Sequence, residues 1–509
     1  MDTIPSELLA QIFQILTVAD RPLANWHPVI WHESEDLVGS ARVRSASEWI
    51  REGTPSLGWV NVTFVCRYWR ECALRTPSLW TYLSDIARHG GWWLQRFVER
   101  AKEAGLCYDD KDVATVRRDR HMLLSEHMHR ISTLHLVNAA DSEWGFVDRI
   151  YEDIFQKSAP MLHDLSLQDF ASLNIPSSLP NLRCLRVRNT DLIPWPNQLF
   201  TSNLSSFEYH PRAMSGSLEI NPMFDALREA PNLRSLTLDL TGIQQIKSTG
   251  IPTVTLRSLK HIDIAAEAET VLTVLKHIIF PPTATLRIVS QPEDPSAHAA
   301  HEAINIALVD LYVDLTRDSE LPAFSVVEVF TKMESLYFAA ARDRPPEVSF
   351  VKPSYDLVFE LPAILNTSNW DCANNIHGLV TKISGRLCKK ESLRELRISG
   401  AWSQTSISMF YDLWQVEHLD LTGIAVKFLV EYMTGQIKPR SSPGLGNQVK
   451  TLALRPGILD HGLCMQLARA IRENRSKRTS TLEVIYLRKA DLSLLGGFWE
   501  EAGVEIVGA

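Results

Sequence analysis

From about residue 131 onward, apolar residues recur in one short pattern: an apolar residue, two others, a second apolar residue, one other, and a third. The second and third are two positions apart, so both point to one face of a short strand. The pattern therefore predicts a series of short strands, each with one buried face. The copies are Ile131-Leu134-Leu136, Leu162-Leu165-Leu167, Leu182-Leu185-Val187, Leu204-Phe207-Tyr209, Leu233-Leu236-Leu238, Leu259-Ile262-Ile264, Leu308-Leu311-Val313, Met333-Leu336-Phe338, Leu393-Leu396-Ile398, Val416-Leu419-Leu421, Val449-Leu452-Leu454 and Leu482-Ile485-Leu487, with a weaker copy at Leu286-Ile288.

Helix-like stretches separate several of these copies. In residues 221–233, Met223, Phe224 and Leu227 fall on one side of a helix, and Pro231 ends it. One strand and one helix cannot bury their apolar faces alone, but stacked copies can share a continuous core.

The repeated unit resembles the leucine-rich repeat family, whose pattern is L-x-x-L-x-L, over about 350 of the 509 residues. Its uneven spacing predicts an irregular solenoid, and the Asn or Cys that usually follows the strand is mostly absent. The gap from Leu336 to Leu396 is too long for one turn; it contains a proline-rich loop at 343–347 and a possible extra strand at 356–360. The alternative is that the leucines mark unrelated strands of ordinary α/β domains.

The N-terminal segment has a different period. Leu8, Leu9, Ile12, Phe13 and Leu16 follow helical spacing and predict one wide apolar stripe. A second helix is predicted over residues 60–74, with five residues on a shared face. These residues are Val62, Val65, Cys66, Trp69 and Ala73.

Two short helices this apolar must bury their surplus against the rest of the chain or against a partner. The segment resembles the F-box family, whose pattern is L-P-x-E-L-L-x-x-I-F-x-x-L followed by V-C-R-x-W-R; Ile4 replaces the usual first leucine. The resemblance implies docking onto the SKP-type adaptor of a cullin–RING ubiquitin ligase. The adaptor-binding residues that it implies are Pro5, Leu8, Leu9, Ile12, Phe13, Leu16, Val65, Cys66 and Trp69.

A long insert, residues 17–57, separates the two halves of this motif and contains Trp26, Trp31 and Trp49. As a surface loop it costs little closure entropy, but it could also obstruct the adaptor. An amphipathic helical cap on the solenoid is the alternative interpretation of the whole N-terminal segment.

The predicted fold class is α/β, with a small all-α F-box module followed by an irregular leucine-rich-repeat solenoid. We expect the F-box module over residues 1–90, a connector with a first imperfect repeat over 91–130, and the solenoid over 131–509. The connector has an amphipathic helix between Gly90 and Ala104, followed by an imperfect strand at 105–108.

Composition and charge narrow the partners. The net charge is −8, from 52 basic and 60 acidic residues, which argues against nucleic acid and anionic membrane as partners. The seven scattered cysteines fit a reducing compartment. We find neither a signal-peptide pattern nor an apolar stretch long enough to span a membrane, so we expect a cytoplasmic or nuclear protein.

Candidate chemistry is sparse. His298, His301 and Glu302 do not follow the order of a zinc site, and no nucleophile or phosphate-binding motif occurs. We therefore expect no metal, cofactor or catalytic residue, and a protein that is not an enzyme.

The main hypothesis is a substrate receptor of a ubiquitin ligase; the alternative is an interaction scaffold outside any ligase. In the receptor hypothesis, the solenoid binds an unknown target protein through residues that flank the core leucines on the sheet. The target-binding candidates are Arg186, Arg188, Asp239, Tyr312, Asp314, Tyr337, Arg397, Asp420, Arg455, Tyr486 and Arg488.

Overall fold

The structure is a computed structural model, and it has a mixed α/β architecture with a helical N-terminal region. The residues that it describes are 4–20, 26–27, 50–51, 57–83, 91–109, 118–138, 151, 153–170, 175, 179–190, 197–212, 218–241, 243, 246–247, 250–291, 306–307, 309–314, 324, 326–331, 335–342, 355–362, 393–400, 416–422, 424–433, 449–455, 461–476, 482–487 and 505–508.

The α-helices are α1 (Ser6–Ala19), α2 (Arg67–Arg75), α3 (Gly91–Ala101), α4 (Arg118–His127), α5 (Asn221–Arg228), α6 (Ala268–Lys276), α7 (Ile424–Met433) and α8 (His461–Ser476). Short 3-10 helices lie at Gly58–Phe64, Pro77–Trp80, Met128–Arg130 and Asn197–Leu199.

The strands are β1 (Trp26–His27), β2 (Ile50–Arg51), β3 (Leu106–Asp109), β4 (Ile131–Val137), β5 (Asp164–Gln168), β6 (Cys184–Arg188), β7 (Ser206–His210), β8 (Leu218–Glu219), β9 (Ser235–Asp239), β10 (Ile246–Lys247), β11 (Val254–Thr255), β12 (His261–Glu267), β13 (Ile278–Ile279), β14 (Thr285–Gln291), β15 (Val326–Thr331), β16 (Ser335–Ala341), β17 (Leu357–Pro362), β18 (Glu395–Gly400), β19 (His418–Thr422), β20 (Thr451–Arg455), β21 (Val484–Leu487) and β22 (Glu505–Gly508).

Contact density divides the chain into two compact units, a division that the repeat pattern does not predict. The first comprises Met1–Thr237 and Ile243–Ser258, and the second Leu238–Gly242 and Leu259–Ala509. In the first unit, β3 to β7 pair in chain order and all run parallel. The first unit therefore contains both the helical N-terminal region and a parallel sheet.

The apolar repeat sets the register of this parallel sheet. Leu134 pairs with Leu165, Leu165 with Leu185, and Leu185 with Phe207, so each second apolar position lies beside the next one. These residues are fully buried, while the residues between them are half-buried or exposed. The strands predicted from the alternation are confirmed here, and so is the imperfect strand, now β3, which pairs with β4 through a register shift.

In the first unit, three asparagine side chains bond to the segment that precedes them in the sheet. Each asparagine lies just before the first leucine of one copy of the apolar pattern, at Leu182, Leu204 or Leu233. The Nδ2 atom of Asn181 donates to the Pro160 carbonyl (2.6 Å), that of Asn203 to Pro180 (2.7 Å), and that of Asn232 to Ser202 (2.9 Å). Each bond satisfies a carbonyl that would otherwise face solvent or a gap. These three asparagines thus make the same kind of contact with the segment that precedes them in the sheet.

The helix predicted within 221–233 is confirmed as α5. Pro222 lies in its first turn, where the missing N–H costs nothing, and Pro231 follows its end. Met223, Phe224 and Leu227 are fully buried, as the helical spacing predicts.

The second unit continues the parallel pattern, with one interruption. Its strands are adjacent in the order β12, β14, β17, β16, β15, β18, β19, β20, β21 and β22. The pairs β15–β16 and β16–β17 are antiparallel, and the other adjacent pairs run parallel. The extra strand expected at 356–360 is confirmed as β17.

Two predicted repeat copies in the second unit are wrong. The copy at 308–313 is not a strand, because residues 309–314 are helical; Val309 and Tyr312, three apart, are its buried pair. The copy at 333–338 contributes β16, which runs against its neighbours and so is not one more parallel turn. A short apolar pattern predicts burial but neither the direction of a strand nor, at one or two turns, its conformation.

Candidate functional site

Helix α1 carries two apolar faces. Leu9 and Phe13 are fully buried, whereas Leu8, Ile12 and Ile15 are 51%, 42% and 68% exposed. With 3.6 residues per turn, the spacing of four and three places the exposed residues in one stripe beside the buried one. Apolar side chains exposed in a row are typical of a surface that a partner covers.

Contacts with α2 hold this exposed stripe in place. The Phe13 and Trp69 rings meet edge to face with centroids 5.5 Å apart. The Tyr68 hydroxyl donates to the Ile4 carbonyl (2.9 Å), and the Cys72 thiol donates to the Ser6 carbonyl (3.2 Å). The start of α1 is therefore tied to α2, so the stripe has a defined orientation.

The second predicted helix is broken, which corrects the shared face proposed for residues 60–74. A 3-10 helix ends at Phe64, and Cys66 is extended (φ −158°, ψ 171°) and caps α2 by accepting from the Trp69 N–H. Val62 and Ala73 consequently lie in the core, while Val65 is 61% exposed and Trp69 is half-buried. The break turns Val65 outward.

The residues implied for adaptor binding thus fall into two groups. Pro5, Leu8, Ile12, Val65 and Cys66 are exposed, and Leu16 and Trp69 are half-buried. Leu9 and Phe13 are inside the module and offer no surface to a partner. We use the name docking face for the exposed apolar residues in and just before α1 and around the start of α2. These residues are Ile4, Leu8, Ile12, Ile15, Val18, Phe64, Val65 and Tyr68.

An aromatic cluster joins this helical module to α3. Trp80 lies 5.0 Å from both Trp59 and Phe97, centroid to centroid, and the Arg100 guanidinium stacks 4.3 Å above it. The Trp80 indole donates to the Ala73 carbonyl (2.9 Å). The connector helix therefore packs directly on the module's core.

Backbone pairing makes a second connection from the module to the sheet. The Leu83 N–H donates to the Cys107 carbonyl (2.9 Å), and the Cys107 N–H donates to the Thr81 carbonyl (2.8 Å). Residues 81–83 thus add to the edge of the sheet beside β3. The docking face is carried on a module that is fixed to the sheet of the same unit.

The insert leaves and re-enters the module at one point. The Trp59 N–H donates to the Asp20 carbonyl (2.7 Å), and β1 pairs antiparallel with β2. This closure explains how the two motif halves can pack together despite their separation in sequence. Most of the insert, with Trp31 and Trp49, lies outside the described residues.

The outward sheet face of the first unit carries charges that pair with one another. His135 lies between two carboxylates, 3.3 Å from Asp109 and 3.5 Å from Asp164, and Arg186 is 3.0 Å from Asp164. Although burial opposes the charged imidazolium, the nearby carboxylates of Asp109 and Asp164 raise the pKa of His135.

The same face continues with Glu208, which contacts three basic side chains. Arg188 is 2.6 Å, His210 3.1 Å and Arg186 4.0 Å from its carboxylate. The nearby His210 and Arg188 side chains lower the pKa of Glu208 to about 2, against the opposing effect of burial. Two of the target-binding candidates, Arg186 and Arg188, therefore already form ion pairs within the chain.

We predict that His135 makes the first unit's stability pH-dependent. Because its folded pKa is raised, its contribution is present below its usual pKa of about 6.5 and is lost as the pH rises through the folded value. The melting temperature of the wild type, relative to His135→Gln, should be highest near pH 6 and fall toward pH 8.5. Ser166→Ala, changed at the register partner of His135, should give a difference that does not vary with pH; a flat profile for both variants would contradict the prediction.

The remaining target-binding candidates have different environments. Asp239, Tyr337 and Tyr486 are half-buried on strands, as expected for a sheet face. Tyr312 is buried and accepts from Arg342 (2.8 Å), and Asp314 lies on the same helical segment, so their predicted place on a strand is wrong. The backbone of Arg455 is in β20, and Arg488 lies outside the described residues.

Arg397 and Asp420 lie on β18 and β19 as the sequence predicts, but the prediction that they are exposed on the sheet face is wrong. They are 4% and 9% exposed, and Arg397 pairs with Glu395, two residues earlier on β18, at 2.7 Å. Because both side chains are buried, they are not exposed on the sheet face to a partner.

The residues that the structure describes contain no group of three or more His, Cys, Asp or Glu side chains arranged to hold a metal ion. No helix within them has both the length and the apolarity to cross a membrane.

Comparison with known proteins bears on the N-terminal region alone. No curated protein matches the chain significantly. The family model described as F-box-like matches residues 1–85, the region that carries the docking face, so the chain contains an F-box-like domain, a kind of domain that binds SKP-type adaptors.

Proposed function

We propose that the protein is the substrate-recognition subunit of an SCF-type cullin–RING ubiquitin ligase. The observation that carries this proposal is the docking face: exposed Leu8, Ile12 and Val65 on a module that matches the F-box-like family. Burying such side chains contributes about 25 cal/mol per Å² of apolar surface. An SKP-type adaptor is the partner that the match implies for this face.

We also propose that the strands and their connections form an irregular leucine-rich-repeat solenoid that binds the target. Two regular features support it. Second apolar positions are register partners in both units, as in Leu165–Leu185 and Leu419–Leu452. The residue before each strand also donates its N–H to the equivalent carbonyl one turn earlier, as Arg183 does to His163 and Lys450 to Glu417, each at 2.8 Å.

In this proposal the protein itself is not catalytic. It raises the effective concentration of the target near the ligase's catalytic subunits. The direct packing of Trp59, Trp80 and Phe97 supports this role, because a fixed module transmits orientation better than a flexible linker does.

Co-purification with an SKP-type adaptor tests the proposal. The purified wild-type chain should capture the adaptor at equal stoichiometry in size-exclusion chromatography. If the folded protein, verified by circular dichroism, fails to capture it, the interaction-scaffold function becomes the better explanation. A wild-type chain that binds only after the insert is shortened would show that the insert obstructs the adaptor.

A further inference from the structure

A polar cavity of about 530 Å³ lies at the end of the first unit's sheet where β6, β7 and β9 begin. Its volume is in the range of sites that bind ligands. The residues that line it include two arginines, Arg183 and Arg234, together with Ser202 and Ser258. It contains no acidic side chain among the residues that the structure describes.

Arg183 and Arg234 occupy equivalent places in the repeat. Arg183 directly precedes β6, and Arg234 directly precedes β9. Both are exposed, and neither forms an ion pair with a carboxylate in the described part of the chain. Within that part of the chain, two arginines without a carboxylate partner therefore lie beside one cavity.

In the second unit, a carboxylate lies between two basic residues at the equivalent positions. There Arg394, Glu417 and Lys450 hold the same repeat position on three consecutive turns. The Glu417 carboxylate accepts from Arg394 on one side and from Lys450 (3.2 Å) on the other.

In the first unit, Ser205 stands where Glu417 would stand. Its hydroxyl donates to the Arg183 carbonyl (2.9 Å) and carries no charge. The order is therefore cation, serine, cation in the first unit and cation, carboxylate, cation in the second. The position between Arg183 and Arg234 lacks the carboxylate that its counterpart contains.

The walls of the cavity are held by hydrogen bonds within the chain. Asn203 and Asn232 both line it, and both are bonded to the preceding turn. Fixed walls reduce the ordering cost of binding.

We propose that this cavity binds a carboxylate side chain from an acidic peptide segment of a partner protein. The carboxylate would accept from Arg183 and Arg234, as Glu417 accepts from Arg394 and Lys450. Only the identification of that partner as the ligase target rests on the proposed function.

Fluorescence anisotropy with a labelled hexaglutamate peptide tests the site in the full chain. At low salt we expect Arg183→Gln and Arg234→Gln each to weaken binding about tenfold, since a hydrogen bond to a charged group contributes about 1.5–3 kcal/mol. Ser205→Glu should weaken it at least as much while keeping both arginines, because the new carboxylate occupies the gap. Binding should also weaken from 0.05 to 0.3 M salt.

Arg228→Gln is the matched control, because it removes the same charge from α5, outside the cavity, where Arg228 pairs with Asp225. The proposal is overturned if Arg228→Gln weakens binding as much as the cavity variants do, or if hexaglutamine binds as well as hexaglutamate. It is also overturned if inorganic phosphate displaces the label while unlabelled hexaglutamate does not, which would indicate a small-oxyanion site. Adaptor capture by Arg183→Gln should equal that of the wild type, so a failure of adaptor binding is distinguishable from a failure of this site.

Discussion

Replacing Leu8 and Ile12 together by glutamine is expected to abolish capture of an SKP-type adaptor while the chain stays folded. Both side chains are about half exposed, so replacing them removes little apolar contact from the protein's own core. Once the adaptor covers this surface, each introduced glutamine amide would be buried without a hydrogen-bond partner, and the apolar contact of the original side chain would be lost. We expect at least about 30-fold weaker binding for each change, equivalent to about 2 kcal/mol.

The matched control is the double variant Met161→Gln/Ile279→Gln. Met161 and Ile279 are 41% and 49% exposed, close to the 42% of Ile12 and 51% of Leu8, but lie outside the F-box-like module. Adaptor capture by this control should match the wild type in calorimetry or a pull-down, and both double variants should melt like the wild type. Equal loss in both would mean that general surface apolarity, and not the docking face, holds the adaptor.

Phe13 and Leu9 are unsuitable for the same test, although helical spacing groups them with Leu8 and Ile12. Both are fully buried, so Phe13→Ala would cost about 3–5 kcal/mol of stability through the cavity it leaves. Capture would then be lost through unfolding. Periodicity identifies which residues lie on one side of a helix, but not which part of that side the chain itself covers.

The strands and their register were the most predictable part of the fold. Leu165, Leu185 and Leu419 are buried where the alternation places them, because a two-residue period can bury only one face of a strand. The F-box motif was equally informative, since Pro5, Leu8 and Val65 lie exposed on the module that the family match covers.

Features that depend on a distant partner were not predictable. The helix at 309–314 and the antiparallel strand β16 depend on which neighbours accept them, and the local apolar pattern is the same for either outcome. The cavity arginines were missed for a similar reason. Arg183 and Arg234 are 51 positions apart in numbering, and only the stacking of turns reveals that Ser205 lies between them.

Arg397 in the second unit is likewise buried where the sequence pattern predicts exposure. Removing its ion-pair partner Glu395 should have a large effect on the free energy of unfolding. Its guanidinium and the Glu395 carboxylate are 5% and 8% exposed and 2.7 Å apart, and its Nη1 atom is buried with no hydrogen-bond partner among the residues that the structure describes. Removing one charge of a buried pair leaves the other uncompensated, which costs about 3–5 kcal/mol. We therefore expect Glu395→Gln to lower the free energy of unfolding by about that amount.

The double variant Glu395→Gln/Arg397→Met should recover most of the loss, because neither charge of this pair stays in the interior. Arg186→Met is the control: it breaks an ion pair with Asp164 whose partners are 32% and 22% exposed, and we expect it to cost about 1 kcal/mol or less. Urea unfolding followed by circular dichroism measures all three variants. If Glu395→Gln costs no more than Arg186→Met, the pair is solvated in solution, and Arg397 returns to the set of residues that can meet a target on the sheet face.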